Sequence, residues 1–151
     1  QCIEFSAELH ISLESDLPPR DALTDFGKKL AKKILTEEAV RFTQILFSEG
    51  QHFIPLVEKF MKVGPDSTRA RLSRYLRRQH DLGHIVVDDP VHDAELFNAM
   101  IIGDWQKQIL KMIDPPTYSN AEIEKRVLRA VEVFLCGVGS ENYRKTADDK
   151  N

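Results

Sequence analysis

Apolar residues recur along this chain at three- and four-residue spacing, which is the period of helices that bury one face. Phe5, Leu9 and Leu13 form the first such stripe, predicting a helix over 2–17 that stops at Pro18-Pro19. Leu23, Phe26, Leu30 and Ile34 repeat it, with Asp25, Lys28, Lys29, Lys32 and Lys33 covering the remaining surface of a second, amphipathic helix. Thr36 is placed to cap a third helix, whose first-turn Glu37 and Glu38 suit the positive end of its dipole. That helix runs to Gly50, and Ala39, Val40, Phe42, Ile45, Leu46 and Phe47 cover more than one of its faces, predicting a central position. Phe53, Leu56, Val57, Phe60 and Met61 make a short fourth helix closed by Gly64. Pro65 then suits the first turn of a fifth, which directs Leu72, Tyr75, Leu76, Gln79 and Leu82 inward and stops at Gly83.

Ile85-Val86-Val87 is too brief and isolated to argue for a sheet and reads as an extended link into Asp88-Asp89-Pro90. From there a long sixth helix is predicted to about Ile113, with one stripe of Ala94, Phe97, Ile101, Trp105 and Gln108 and another of Ile102, Ile109, Leu110 and Ile113. Ser119 and Glu122 form a capping box for a seventh, which carries Ile123, Val127, Ala130, Val131 and Phe134 on one face and Leu128 and Leu135 on a second. Two apolar faces need two partners. Residues 140–151 are polar and unpatterned and read as a tail, leaving 1–139 as one all-α domain of about seven helices without internal repeats.

Length and composition agree with a single soluble domain: 151 residues, 42% hydrophobic and 30% charged. Lys+Arg 21 against Asp+Glu 24 gives a net charge of −3, so no global positive field exists to gather phosphate backbones, and nucleic-acid binding by this segment is not expected. Cys2 and Cys136 lie far apart and suggest neither a disulfide framework nor a zinc knuckle, which fits a reducing cytoplasm. Glu4 and Glu8 stand where a secretory signal would be basic, and no apolar run approaches membrane-spanning length. Gln1 opens a sequence that is already helical in pattern, as expected of a fragment entered partway through an element.

Several local phrases, in order, resemble the C-terminal regulatory domain of TetR/AcrR-type repressors, in particular the AefR-like branch. They are Glu38-Ala39-Val40-Arg41-Phe42, Phe53-Ile54-Pro55-Leu56, Phe60-Met61-Lys62-Val63-Gly64-Pro65, Gly83-His84-Ile85-Val86-Val87-Asp88-Asp89-Pro90, Phe97-x-x-Met100-Ile101-Ile102-Gly103-Asp104 and Ala130-Val131-Glu132-Val133-Phe134-Leu135-Cys136-Gly137. The resemblance spans about residues 36 to 139. The family's operator-reading helix-turn-helix has no counterpart here. What the resemblance implies is a sensor: the first six helices surround an effector pocket, and the last two pair with their symmetry mates as a four-helix-bundle interface of a homodimer. A small, largely apolar effector would then shift the first helix and release operator DNA held by the missing N-terminal part.

On that reading Phe26, Phe42, Ile45, Phe60, Tyr75, Gln79, Phe97, Ile101 and Trp105 are the expected pocket residues, with Phe53, Gln44 and Asp104 as further candidates. Aromatics at helical spacing are more often plain core. The expected dimer residues are Ile102, Gly103, Ile109, Leu110, Ile113, Leu128, Val131 and Leu135; Gly103 either permits close approach at the seam or is simply tolerated. His80-Asp81-Leu82-Gly83-His84 superficially resembles a helical zinc pair, but Asp81 stands where a zincin has Glu. Even with Asp88, His92 and Asp93 nearby, it reads as a solvated turn. Arg69, Arg71, Arg74, Arg77 and Arg78 read as a solvated face paired with nearby acids. Cys136, between Phe134-Leu135 and Gly137, is expected to be a buried inert thiol. No nucleophile elbow, metalloprotease motif or phosphate loop is present, so no catalytic residue, metal or cofactor is implied. The alternatives are a helical protein-interaction module without a small ligand and, after it, a helical enzyme using His80 or His84.

Overall fold

The computed structural model describes residue 9, residues 11–103 and residues 118–138. Among the described residues, 11–14 are helical and are followed by six helices: α1 (Pro19–Ile34), α2 (Glu37–Glu49), α3 (Ile54–Val63), α4 (Pro65–Asp81), α5 (Pro90–Ile102) and α6 (Asn120–Val138). A 3₁₀ turn, Gly50–His52, joins α2 to α3. The expected all-α architecture is what forms.

Each helix begins where its end groups can be satisfied. Pro19, Pro65 and Pro90 sit in the first turns of α1, α4 and α5, where a missing N–H costs nothing. The Thr36 hydroxyl accepts from the Ala39 N–H at 3.2 Å, and Asp89 Oδ1 accepts from the Val91 and His92 N–H groups at 3.1 Å each. At α6 the predicted capping box forms: Ser119 Oγ accepts from the Glu122 N–H at 3.2 Å while Glu122 Oε2 accepts from the Ser119 N–H at 2.8 Å.

The core lies where α1, α4, α5 and α6 converge. Phe97 is its centre, 5.1 Å from the Phe134 ring in an edge-on contact and 6.3 Å from Phe26. Leu23, Leu72, Leu76, Ile101, Val127 and Leu135 close around these rings. α1 approaches this centre unusually closely because residue 27 is glycine: a Cβ there would lie 2.8 Å from Val127 Cγ1 and 3.2 Å from Ile101 Cδ1. Lys28 and Glu124 join α1 to α6 at the rim of the same contact. The link after α4 is held by its own bonds. Gly83 turns the chain with φ +77°, Ile85 and Val87 are buried, and the Val86 N–H donates to the Val138 carbonyl of α6.

Three expectations need correction. The third predicted helix, α2, is not central: only Val40 and Thr43 are buried, and Ile45 and Phe47 are 60% and 68% exposed. An apolar composition on several faces shows that a helix needs cover, and among the described residues this protomer supplies cover on one side only. Leu82 does not point inward; it follows the last turn of α4 and is largely exposed, because the chain reverses at Gly83 immediately after it. Cys136 is exposed, not buried: it lies about 200° around the helix from Phe134, on the far side from the core. The reach of the sixth predicted helix beyond Gly103, the start of the first, and the tail over 140–151 lie outside the described residues.

Candidate functional site

The expected pocket residues divide between two environments. Phe26, Tyr75, Phe97 and Ile101 are buried in the close-packed core, as is Gln79, whose Oε1 is 2.7 Å from His84 Nδ1. Phe42, Phe60 and Ile45 lie instead on the α2–α3 hairpin, where the Phe42 and Phe60 rings meet edge to face at 5.3 Å. Phe42 and Ile45 are exposed there and Phe60 half-buried. Gln44 is half-buried and Phe53 exposed on the same hairpin; Asp104 and Trp105 fall outside the described residues. No residue of α3 is buried, so Ile54, Leu56, Met61 and Val63 add to an apolar surface that this protomer leaves largely open.

A cleft of about 460 Å³ lies elsewhere, lined by Ser73, Arg74, Arg77, Asp88, Asp89, Pro90 and Val91. None of these residues is among the expected pocket residues. Its sequence signal is the pair Arg74 and Arg77, three apart on α4, facing the acidic cap of α5; such a signal is weak because exposed charges commonly lie beside one another. Of the other arginines of α4, Arg69 and Arg71 pair with acids as expected, whereas Arg78 bonds a backbone carbonyl. Arg69 bridges Asp66 and Glu95, and Arg71 bonds Glu14 at 3.0 Å. Arg78 donates to the Leu13 carbonyl at 2.7 Å while its guanidinium carbon lies 5.5 Å from the Tyr75 ring centre. α4 packs chiefly on α5 and also grips the end of helix 11–14.

Burial raises the Tyr75 phenol far above its ordinary range, with Arg78 opposing the rise, so the hydroxyl is a neutral donor at any physiological pH. Burial also raises the Asp93 carboxyl above the usual range, partly offset by His92. The Val87 N–H donates to His80 Nδ1 at 3.2 Å and His84 Nδ1 is engaged by Gln79, so both rings serve the turn after α4. Among the described residues no group of three His, Cys, Asp or Glu side chains is arranged to hold a metal ion. Nor, among them, is any helix long and apolar enough to cross a membrane.

Of the expected dimer residues, Leu128 is 42% exposed and Gly103 is exposed, while Ile102 is half-buried against the core. Val131 and Leu135 are fully buried within the protomer and present no surface to a second copy. Ile109, Leu110 and Ile113 lie outside the described residues. Val133 on α6 and Leu96 on α5, which the sequence reading passed over, are exposed apolar side chains.

The sequence profile of the family described as "AefR-like transcriptional repressor, C-terminal domain" matches residues 21–137. The chain belongs to that family. This AefR-like domain is a regulatory part of a TetR-type repressor and not an enzyme. Its fold is shared by a solved "putative TetR-family transcriptional regulator" from Mesorhizobium loti MAFF303099, at TM-score 0.79 and 16% identity, over 91% of this chain and 67% of that one. It is shared too by the structure named "Flavonoid-responsive Regulator FrrA", at TM-score 0.70 and 24% identity, over 93% of this chain and 74% of that one. No curated protein matches the chain. In the AefR-like domain, then, the match spans α1 to α6, and so includes both the helices that build the core and the α2–α3 hairpin outside it.

Proposed function

We infer that this AefR-like domain senses a small, largely apolar effector and forms a homodimer, and that effector binding releases operator DNA held by a segment N-terminal to this sequence. The observation that carries the reading is the mismatch between composition and cover. Phe42, Ile45, Phe47, Phe53, Ile54, Leu56, Met61 and Val63 are exposed within 22 consecutive residues, 42–63, a density of bare apolar surface that marks a binding surface in a protein that must avoid aggregation. Phe42 and Phe60 would form the mobile wall of the effector site, and Phe26, Tyr75, Gln79, Phe97, Ile101 and Trp105 its inner side. The name of the flavonoid-responsive relative supports a flat, mostly apolar ligand class.

The dimer would form through the outer faces of the last two helices, with Leu128 and Gly103 at the contact and Ile102, Ile109, Leu110 and Ile113 continuing it. Operator contact is assigned to the preceding segment because the net charge of −3 gives this one no general attraction for phosphates. Movement at the pocket would reach that segment through α4, whose Arg71 and Arg78 hold Glu14 and the Leu13 carbonyl. We take residues 1–139 as the domain, 140–151 as its tail, and the cytoplasm as its setting. The test is oligomeric state by light scattering together with thermal shift against a panel of hydrophobic aromatic compounds. A dimer stabilised by one class of them is expected. A monomer indifferent to all would overturn the reading, and a monomer that captures a protein partner instead would favour an interaction module.

A further inference from the structure

The cleft between α4 and α5 holds charges of both signs that its own residues leave unpaired. Ser73, Arg74 and Arg77 form its α4 wall, and Asp88, Asp89, Pro90 and Val91 the wall at the start of α5. Spacings of three and four residues put the α4 side chains on one side of that helix. Arg74 and Arg77 are exposed and, among the described residues, enter no ion pair or hydrogen bond, whereas Arg69, Arg71 and Arg78 on the same helix are all engaged. On the opposite wall Asp89 commits Oδ1 to the Val91 and His92 N–H groups, and Asp88 pairs with no cation among the described residues. Two guanidinium and two carboxylate groups therefore line one gap without bridging it. The walls are fixed on either side of the gap. Arg69 ties α4 to Glu95 of α5 at 2.8 Å, and in the connecting turn the Val87 N–H donates to His80 Nδ1 at 3.2 Å.

The pairing of signs decides what such a gap selects. A lone anion is drawn by the arginines and repelled by the aspartates, and a lone cation meets the reverse, so neither gains much. A molecule with one charge of each sign gains at both walls. We propose that the cleft binds a small zwitterion, a short carbon chain with a carboxylate at one end and an ammonium at the other, with Arg74 and Arg77 taking the carboxylate and Asp88 the ammonium. Arginine suits the carboxylate because its planar fork matches the two oxygens. The Ser73 hydroxyl can add a donor on the same wall, and Val91, half exposed, lies against the carbon chain. The cleft volume of about 460 Å³ is that of a small-molecule site. Since the walls are already fixed, little ordering is needed on entry. This is a second site, separate from the apolar effector surface: no residue of the α2–α3 hairpin lines it.

The experiment is an NMR titration of the wild-type chain with two matched sets of probes: γ-aminobutyrate with butyrate and butylamine, and ε-aminocaproate with caproate and hexylamine. The two lengths let the charges span the gap at different reaches. At least one zwitterion is expected to shift the amides of Ser73, Arg74, Arg77, Asp88 and Val91. It should bind about fivefold more tightly than either of its singly charged partners, the most that one exposed ion pair supplies. Added sodium chloride should weaken it. Arg77→Gln is expected to weaken zwitterion binding while strengthening the amine, and Asp88→Asn to weaken it while strengthening the carboxylate. A merely structural role would not move the two controls in opposite directions. Both side chains are exposed, so the helical circular dichroism of both variants should match the wild type. The inference is overturned if the singly charged probes bind as tightly as the zwitterions, if the variants leave the order of affinities unchanged, or if no amide of the cleft shifts. None of these results touches the apolar effector reading, which is tested with other compounds.

Discussion

Residue 27 shows how one side chain sets the spacing of two helices. A methyl group there would press on Val127 Cγ1 at 2.8 Å, and valine in a helix has one favoured rotamer, so it has no easy retreat. Against this, alanine is favoured over glycine inside a helix by about 1 kcal/mol, whereas overpacking a core costs about 1–3 kcal/mol. Overpacking wins: Gly27→Ala is expected to lower Tm by a few degrees in a thermal melt. Pairing it with Val127→Ala should recover much of the loss, because the new methyl fills the space the valine vacates, so the two changes combine with a favourable coupling energy. Strict additivity would show that α1 and α6 are not in the contact described. Nothing at the level of hydrophobic pattern marks Gly27, since a glycine between Phe26 and Lys28 on an amphipathic helix is equally compatible with an open surface. Cys136 is the opposite lesson: its apolar neighbours in sequence suggest burial, but adjacent helical residues are 100° apart, and the phase set by Val127, Val131 and Phe134 puts it outside.

Helix boundaries were the most legible feature, because proline, glycine and capping side chains act locally. Pro65, Gly64, Thr36, Asp89 and the Ser119–Glu122 box all sit within a residue or two of the ends they predict. The box also makes a pH-dependent claim. Bonds from the Ser119 hydroxyl and N–H hold the Glu122 carboxyl below the usual glutamate range. A depressed folded-state pKa contributes stability that is present above the ordinary glutamate range and is lost as pH falls through the folded value. An NMR titration should therefore find Glu122 titrating below a reference glutamate, and Ser119→Ala should return it to the ordinary range; an unshifted wild-type carboxyl would show that the box does not form in solution. The α2–α3 hairpin was legible in its bounds but not in its packing. Its apolar residues say that it needs a neighbour without saying whether the neighbour is the core, a ligand or another chain. With only Val40 and Thr43 buried in α2 and no buried residue in α3, local opening there should be easy, so amide hydrogen exchange is expected to be faster across 37–63 than in α1, α4 or α6. Uniform protection would contradict this, whereas selective protection on adding a hydrophobic probe would place the ligand against the hairpin.

For the whole molecule, the doubled apolar faces of the last two helices predict more than one neighbour, and two of the residues expected at the outer contact lie inside a single protomer. Val131 and Leu135 belong to the fold of a single protomer, packed with Val127 and Phe134 against α1 and α5, because α6 is wrapped by its own chain over a wider arc than a two-stripe pattern can reveal. The residues left for a partner are those that remain bare. Leu128 and Val133 on α6 are 42% and 44% exposed, and they lie on different sides of that helix. This separates two outcomes. If the homodimer forms through the face that carries Leu128, Leu128→Lys places a charge in the contact and should convert dimer to monomer at micromolar concentration, with the helical circular dichroism of the protomer retained. Val133→Lys, a comparable change on the other side, should leave the dimer intact and serves as the control for surface charge. Val131→Lys behaves differently again: it buries an unpaired ammonium in the protomer core and is expected to abolish folding, not only association. A dimer that survives Leu128→Lys and dissociates with Val133→Lys would move the contact to the opposite face of α6, and one that survives both would move it to the bare apolar hairpin at 37–63.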